Sequence, residues 1–199
     1  MMNGQFNKIF IIGFNKCGTR TLNQFFRRNR IRGIHGDGGR LASTMVSNLI
    51  DGREILEGYA DRFIVFSDMI FISDQICIEG NSFFRVLDQH YPGSAFILNL
   101  RDIEAWIKSR ANHSNRKGRF LDKTRAIIGP ADDETIFAHW RRQWQRHVED
   151  VERYFAGRDN LLKFDIAKDN PQAIADFLGI EMDMEQYGWE GKSGPGAGS

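Results

Sequence analysis

The chain has 199 residues, 41% of them hydrophobic and 27% charged, with a formal net charge of +1. That length predicts one domain with a full core. The balanced charge excludes a general nucleic-acid or membrane-surface binder, which needs a strong basic excess.

Cys17 and Cys77 are the two cysteines, too few for a disulfide framework, and the first lies inside a polar loop, which favours a free thiol in a reducing compartment. No apolar run approaches the roughly 20 residues that span a bilayer. The run Ile9–Ile12 is short and leads into a polar loop instead of a cleavage site. The expectation is a cytoplasmic protein with one domain over residues 1–187 and a Gly-rich flexible tail over 188–199, without stable membrane insertion.

Lys8–Ile12 reads as a buried strand. Gly13 to Gly18 is a tight polar loop, and Leu22, Phe25, Phe26 and Asn29 lie on one face of the helix that follows. Arg27–Arg32 reads as a solvated face complementing the helix C-terminus. Ile31–Ile34 is a short strand and His35–Gly39 a turn. Leu41, Met45 and Leu49 mark a second helix that stops near Gly52. Arg62–Phe66 is the next strand, with Ser67 and Asp68 at its end; Met69–Gly80 shows no clear period.

Asn81 caps a predicted helix through Tyr91. Ala95–Leu100 is a buried strand leading to Arg101 and a helix through about Ala111. Asn112–Asp133 reads as a long loop and a candidate lid. Its basic residues, including Arg116, Lys117, Arg119, Lys123 and Arg125, point to an acidic or polyhydroxylated ligand. A long helix spans about Glu134–Ala156, with Trp140 and Trp144 expected in the core. Leu161–Phe164 is a last strand and Pro171–Leu178 a last helix.

Apolar strands alternating with helices predict an α/β fold, a three-layer parallel sheet with helices on both faces. Such sheets bind ligands at the carboxyl ends of their strands. Three polar groups fall there: Lys16–Thr21, Ser67–Asp68 and Arg101–Asp102. A loop that delivers N–H groups to a helix N-terminus is an anion site. Gly13 and Gly18 have the spacing of the nucleotide-binding pattern G-x-x-x-x-G-K-[ST], but Thr19 stands where its lysine belongs, and the lysine is Lys16.

Lys16-Cys17-Gly18-Thr19 on a strand–loop–helix unit resembles the 5′-phosphosulfate loop of sulfotransferases that use 3′-phosphoadenylyl sulfate (PAPS). Arg101 ends a strand and Ser109 follows eight residues later; this pair resembles the family's 3′-phosphate motif. His147–Ile180 resembles its C-terminal segment, so the likeness covers residues 8–180. It implies a P-loop-like nucleotide-binding core, PAPS as donor, the bisphosphate PAP as product, and no metal. By this resemblance Lys16, Cys17, Gly18, Thr19, Arg20 and Thr21 hold the 5′-phosphosulfate, while Arg101 and Ser109 hold the 3′-phosphate. Arg20 stands where many members have a second threonine.

Lys16 is also placed to stabilise charge growing on the leaving oxygen. Asp68 is the expected general base, with His35 the alternative. The acceptor is expected to be a hydroxyl of a small molecule, saccharide or glycolipid. Two other readings stay open: a P-loop kinase-like phosphotransferase, and a non-catalytic nucleotide-binding module.

Overall fold

A computed structural model of the chain describes residues 6–115 and 118–188. Five parallel strands form the central sheet: β1 (Ile9–Ile11), β2 (Gly33–His35), β3 (Val65–Ser67), β6 (Ala95–Leu100) and β9 (Leu161–Asp165), in the order β2-β3-β1-β6-β9. Phe10 is the register pivot, paired with Phe66 on one side and Phe96 on the other. The connecting helices are α1 (Thr19–Arg28), α2 (Arg40–Ile50), α3 (Phe84–His90), α4 (Ile103–Ala111), α5 (Phe120–Ile128), α6 (Asp133–Tyr154) and α7 (Gln172–Leu178).

Side chains on a strand alternate between faces, and both faces here are covered. Ile9, Ile11, Val65 and Ile97 meet Leu22, Phe25 and Phe26 of α1 and Ile174 and Leu178 of α7. Phe10, Phe66, Phe96 and Leu98 meet Leu41 and Met45 of α2, Leu87 of α3, and Val151 of α6. Fully burying a side chain of this size contributes about 1.5–3 kcal/mol, so this two-sided apolar pattern dominates the fold. A third cluster lies under the strand ends, where Phe14 packs with Trp106, Trp140 and Trp144. Both tryptophans of α6 are therefore core residues, as expected.

The chain runs from β1 outward to β2 through α1 on one face, and from β3 across to β6 through α3 on the other. Neighbouring strands β1 and β3 thus send their connections to opposite faces. This opens a crevice at their carboxyl ends, the place where α/β sheets bind ligands.

Two segments differ from expectation. Met69–Gly80 holds an antiparallel hairpin, β4 (Ile70–Ile72) paired with β5 (Cys77–Glu79). Asn112–Asp133 is not a bare loop: Ser114–Asn115 (β7) pairs with Gly118–Arg119 (β8), and α5 follows. Phe120 and Leu121 sit in the third apolar cluster and Lys123 is buried. Arg125 is ion-paired with Asp122 and Asp133. Burial of that apolar pair fixes a helix that the surrounding charges hide in the sequence. Arg116, Lys117 and residues 189–199 of the Gly-rich tail lie outside the described residues. Among the described residues no helix is long and apolar enough to cross a membrane.

Candidate active site

The loop after β1 is held by side chains from distant elements. Asn99, fully buried on β6, accepts from the Gly13 N–H at 2.8 Å and donates to the Cys17 carbonyl at 2.7 Å. Trp106 Nε1 donates to the Asn15 carbonyl at 2.9 Å, and His147 Nε2 lies 2.7 Å from the Ile12 carbonyl. A Cβ at Gly13 would stand 2.1 Å from the Asn99 carbonyl oxygen, so only glycine allows this approach.

Lys16 and Gly18 both have positive φ, 68° and 76°. A lysine there is strained by about 1–2 kcal/mol, and strained residues that the surrounding structure holds in place cluster at functional sites. Gly18 also caps α1, with no side-chain cap and no acidic residue in the first turn. In contrast, α4 and α6 are capped by the carboxylates of Asp102 and Asp132. No acidic side chain of its own meets the first turn of α1, and the positive end of the helix faces the crevice.

A cavity of about 720 Å³ opens at this point, within the roughly 300–1,000 Å³ range of ligand sites. Lys16, Gly18, Thr19, Arg20, Thr21, His35, Asp68, Arg101 and Ser109 all line it. Cys17 does not: its side chain is fully buried beneath the loop, where desolvation pushes the thiol pKa well up. Its link to the loop runs through its carbonyl.

Lys16, Arg20 and Arg101 make no ion pair with any described residue. Burial lowers the Lys16 pKa, Arg20 and Arg101 lower it further, and Asp68 opposes them. Arg101 Nη1 meanwhile donates to the Lys16 carbonyl at 3.2 Å. Three crowded cations beside a helix N-terminus favour a multiply charged anion.

On the opposite flank Asp68 also has a positive φ, 56°. Its Oδ2 lies 3.5 Å from His35 Nε2, and its Oδ1 3.4 Å from Thr19 Oγ1. The two candidate bases are thus neighbours. His35 Nδ1 lies 3.1 Å from Ser67 Oγ, and Asn23 Nδ2 donates to that same oxygen at 3.1 Å. Burial lowers the His35 pKa, the Asp68 charge raises it and Arg20 lowers it. A neutral ring with its Nε2 proton toward Asp68 and Nδ1 accepting from Ser67 satisfies this geometry.

His113, Phe71 and Phe120 also line the cavity, unmarked by any sequence motif. His113 is half-buried, and burial, then Lys16, lowers its pKa. Among the described residues no group of three or more His, Cys, Asp or Glu gathers as metal donors.

A sulfotransferase-domain family profile matches residues 8–193. Among solved structures the chain is similar to a sulfotransferase from Alicyclobacillus acidocaldarius. That similarity has 16% identity and a TM-score of 0.50, over 90% of this chain and 84% of the other; at this identity the likeness is one of fold. No curated protein matches the chain. The profile runs from β1 past α7 and takes in both the Lys16 loop and the Arg101–Ser109 stretch, and the chain belongs to the sulfotransferase domain family.

Proposed function

We propose that this protein transfers a sulfuryl group from PAPS to a hydroxyl acceptor. The observation that carries the reading is one cavity shared by three polar groups from distant parts of the chain. Arg101 and Ser109 lie at the β6 end, Lys16 to Thr21 in the middle, and Asp68 with His35 at the β3 and β2 ends. The uncapped helix and three cations that make no ion pair with any described residue fit a donor with separate anionic ends.

In this reading Arg101 and Ser109 hold the 3′-phosphate. The loop N–H groups, Thr19, Arg20 and Thr21 hold the 5′-phosphosulfate. PAPS, when bound, supplies an electrophilic sulfur and a phosphate leaving group. The acceptor oxygen forms the new S–O bond as the bond from sulfur to the bridging phosphate oxygen breaks. Lys16 meets the charge growing on that oxygen, a role in positioning and charge stabilisation like that in phosphoryl transfer. Asp68 takes the acceptor proton and His35, 3.5 Å away, orients the carboxylate. The phosphate leaves as PAP.

Calorimetric binding of PAP beside ATP and AMP, on wild type and Arg101→Ala, tests the proposal. Micromolar binding of PAP alone, lost in the variant, is the expected result. Preference for ATP with magnesium would move the kinase-like reading to the front.

A further inference from the structure

We infer that the acceptor is a hydroxyl carried on an apolar body, an alcohol or phenol, seated between the β4–β5 hairpin and the Gly36–Gly39 turn. The inference rests on the donor reading above and extends it to the other substrate. Along the carboxyl edge the anion-binding groups run from Arg101 at β6 to Lys16 after β1, and the proton-accepting groups lie beyond them at β3 and β2. The reacting hydroxyl therefore lies at Asp68, and its body extends over the surfaces that flank Asp68 away from the loop.

Those surfaces are apolar. After Asp68 and the buried Met69 come Ile70, Phe71 and Ile72, three consecutive large residues that all line the cavity and are all partly exposed. Partly exposed apolar residues gathered in a cavity mark a binding surface more than a core. The Phe71 ring lies against the turn: a Cβ at Gly39 would stand 2.9 Å from Phe71 Cδ2. Gly38 beside it has nothing within 4 Å of where its Cβ would be, which leaves open space next to the ring. Phe120 of α5 adds a second aromatic wall.

The hydrogen-bonding groups needed to hold a saccharide are few here. Besides Asp68, the charged residues lining the cavity are Lys16, Arg20 and Arg101; of its neutral polar side chains, Asn15, Thr19 and Thr21 belong to the anion loop, Ser109, His113 and Ser114 to α4 and the chain after it, and His35 to this flank. Lys16 and Arg20 belong to the loop and the first turn of α1, and Arg101 to the 3′-phosphate end. Of the basic residues after Asn112 that the sequence singles out, Arg119, Lys123 and Arg125 are described and none of them lines the cavity. Lys123 is buried, and Arg125 is taken up by Asp122, Asp133 and the Ala131 carbonyl. A site built to hold a sugar's hydroxyls needs buried donors and acceptors to match them, and this flank offers ring faces and branched alkyl groups.

The test separates the two substrates. Calorimetry with PAP comes first: no binding overturns the donor reading, and this inference falls with it. With PAP bound, the loaded enzyme is titrated with 2-naphthol, N-acetylglucosamine and a glucuronic-acid disaccharide, and initial rates are measured with PAPS for each. The expected result is that 2-naphthol binds and reacts at least about tenfold better than either sugar. Phe71→Ser then weakens 2-naphthol binding by about tenfold or more, the scale of losing a buried ring contact, with PAP affinity unchanged. Ile72→Gln is the second variant, used if Phe71→Ser fails to fold, with the same expected direction. Preference for either sugar overturns the inference. So does an enzyme that binds PAP but none of the three probes, or unaltered 2-naphthol affinity in a folded variant.

Discussion

Asn99 accepts a hydrogen bond from the Gly13 N–H at 2.8 Å across 86 residues of chain. With its amide donating to the Cys17 carbonyl, this one side chain ties both ends of the anion loop to β6. Asn99→Ala leaves a buried donor and a buried acceptor without partners, at about 1–3 kcal/mol each. We expect a large fall in the urea midpoint and a PAP affinity at least about tenfold weaker. A variant that loses stability but binds PAP at wild-type strength would show that the loop keeps its shape without the clamp.

Lys16 sits at φ 68° between two other cations. Both features work against the folded state, since a left-handed lysine is strained and its charge is partly desolvated among like charges. Lys16→Gly removes both, so it is expected to raise the melting temperature while turnover falls by about 10²–10³. Turnover within tenfold of wild type would remove Lys16 from the chemistry. A lowered melting temperature would mean that the lysine makes a net stabilising contribution in the unliganded loop.

The Lys16 loop is legible in the sequence because its glycines, lysine and threonines fall within nine residues, and Arg101 and Ser109 because a fixed spacing of eight residues at a strand end separates them. The layered α/β class follows from apolar runs separated by helices, whereas the strand order does not. What the sequence hides is long-range. The Asn99 clamp joins residues with no shared pattern, and the His35–Asp68 contact arises only when β2 pairs with β3 in register, His35 opposite Ser67. His113 reaches the cavity from beyond α4. In the β4–β5 hairpin, Ile70, Phe71 and Ile72 do not alternate with polar residues, so the period-2 signal is absent. In α5 the buried Lys123 breaks the apolar stripe that Phe120 and Leu121 begin.

The His35–Asp68 pair predicts an ordered loss of rate. A general base is worth typically 10²–10⁴, and Asp68→Asn keeps the shape of the side chain while removing its basicity. We expect kcat to fall within that range with PAP affinity unchanged. His35→Asn, which leaves the carboxylate in place, is expected to cost less, and Ser67→Ala less again, because of the two candidate bases the Ser67 hydroxyl meets the ring and not the carboxylate. A larger loss in His35→Asn than in Asp68→Asn would assign the proton to the imidazole instead.

Four histidines, His35, His113, His139 and His147, have pKa values lowered from 6.5, each chiefly by burial. In the unfolded chain they take up protons near pH 6.5, whereas in the folded protein they do so only at lower pH. Below 6.5 the unfolded state therefore binds more protons, and stability falls with falling pH. The stabilisation is fully present above 6.5 and is lost as pH drops through the folded values. His147 is the most deeply placed, with Nε2 on the Ile12 carbonyl just before the loop; it alone accounts for a slope of up to about 1.4 kcal/mol per pH unit in that window. Urea midpoints measured from pH 7.5 to 5.5 should decline, and His147→Gln, which keeps a donor but cannot titrate, should make the decline shallower. A midpoint constant over that range in the wild-type protein would mean that these rings protonate in place, with water reaching them in the folded state.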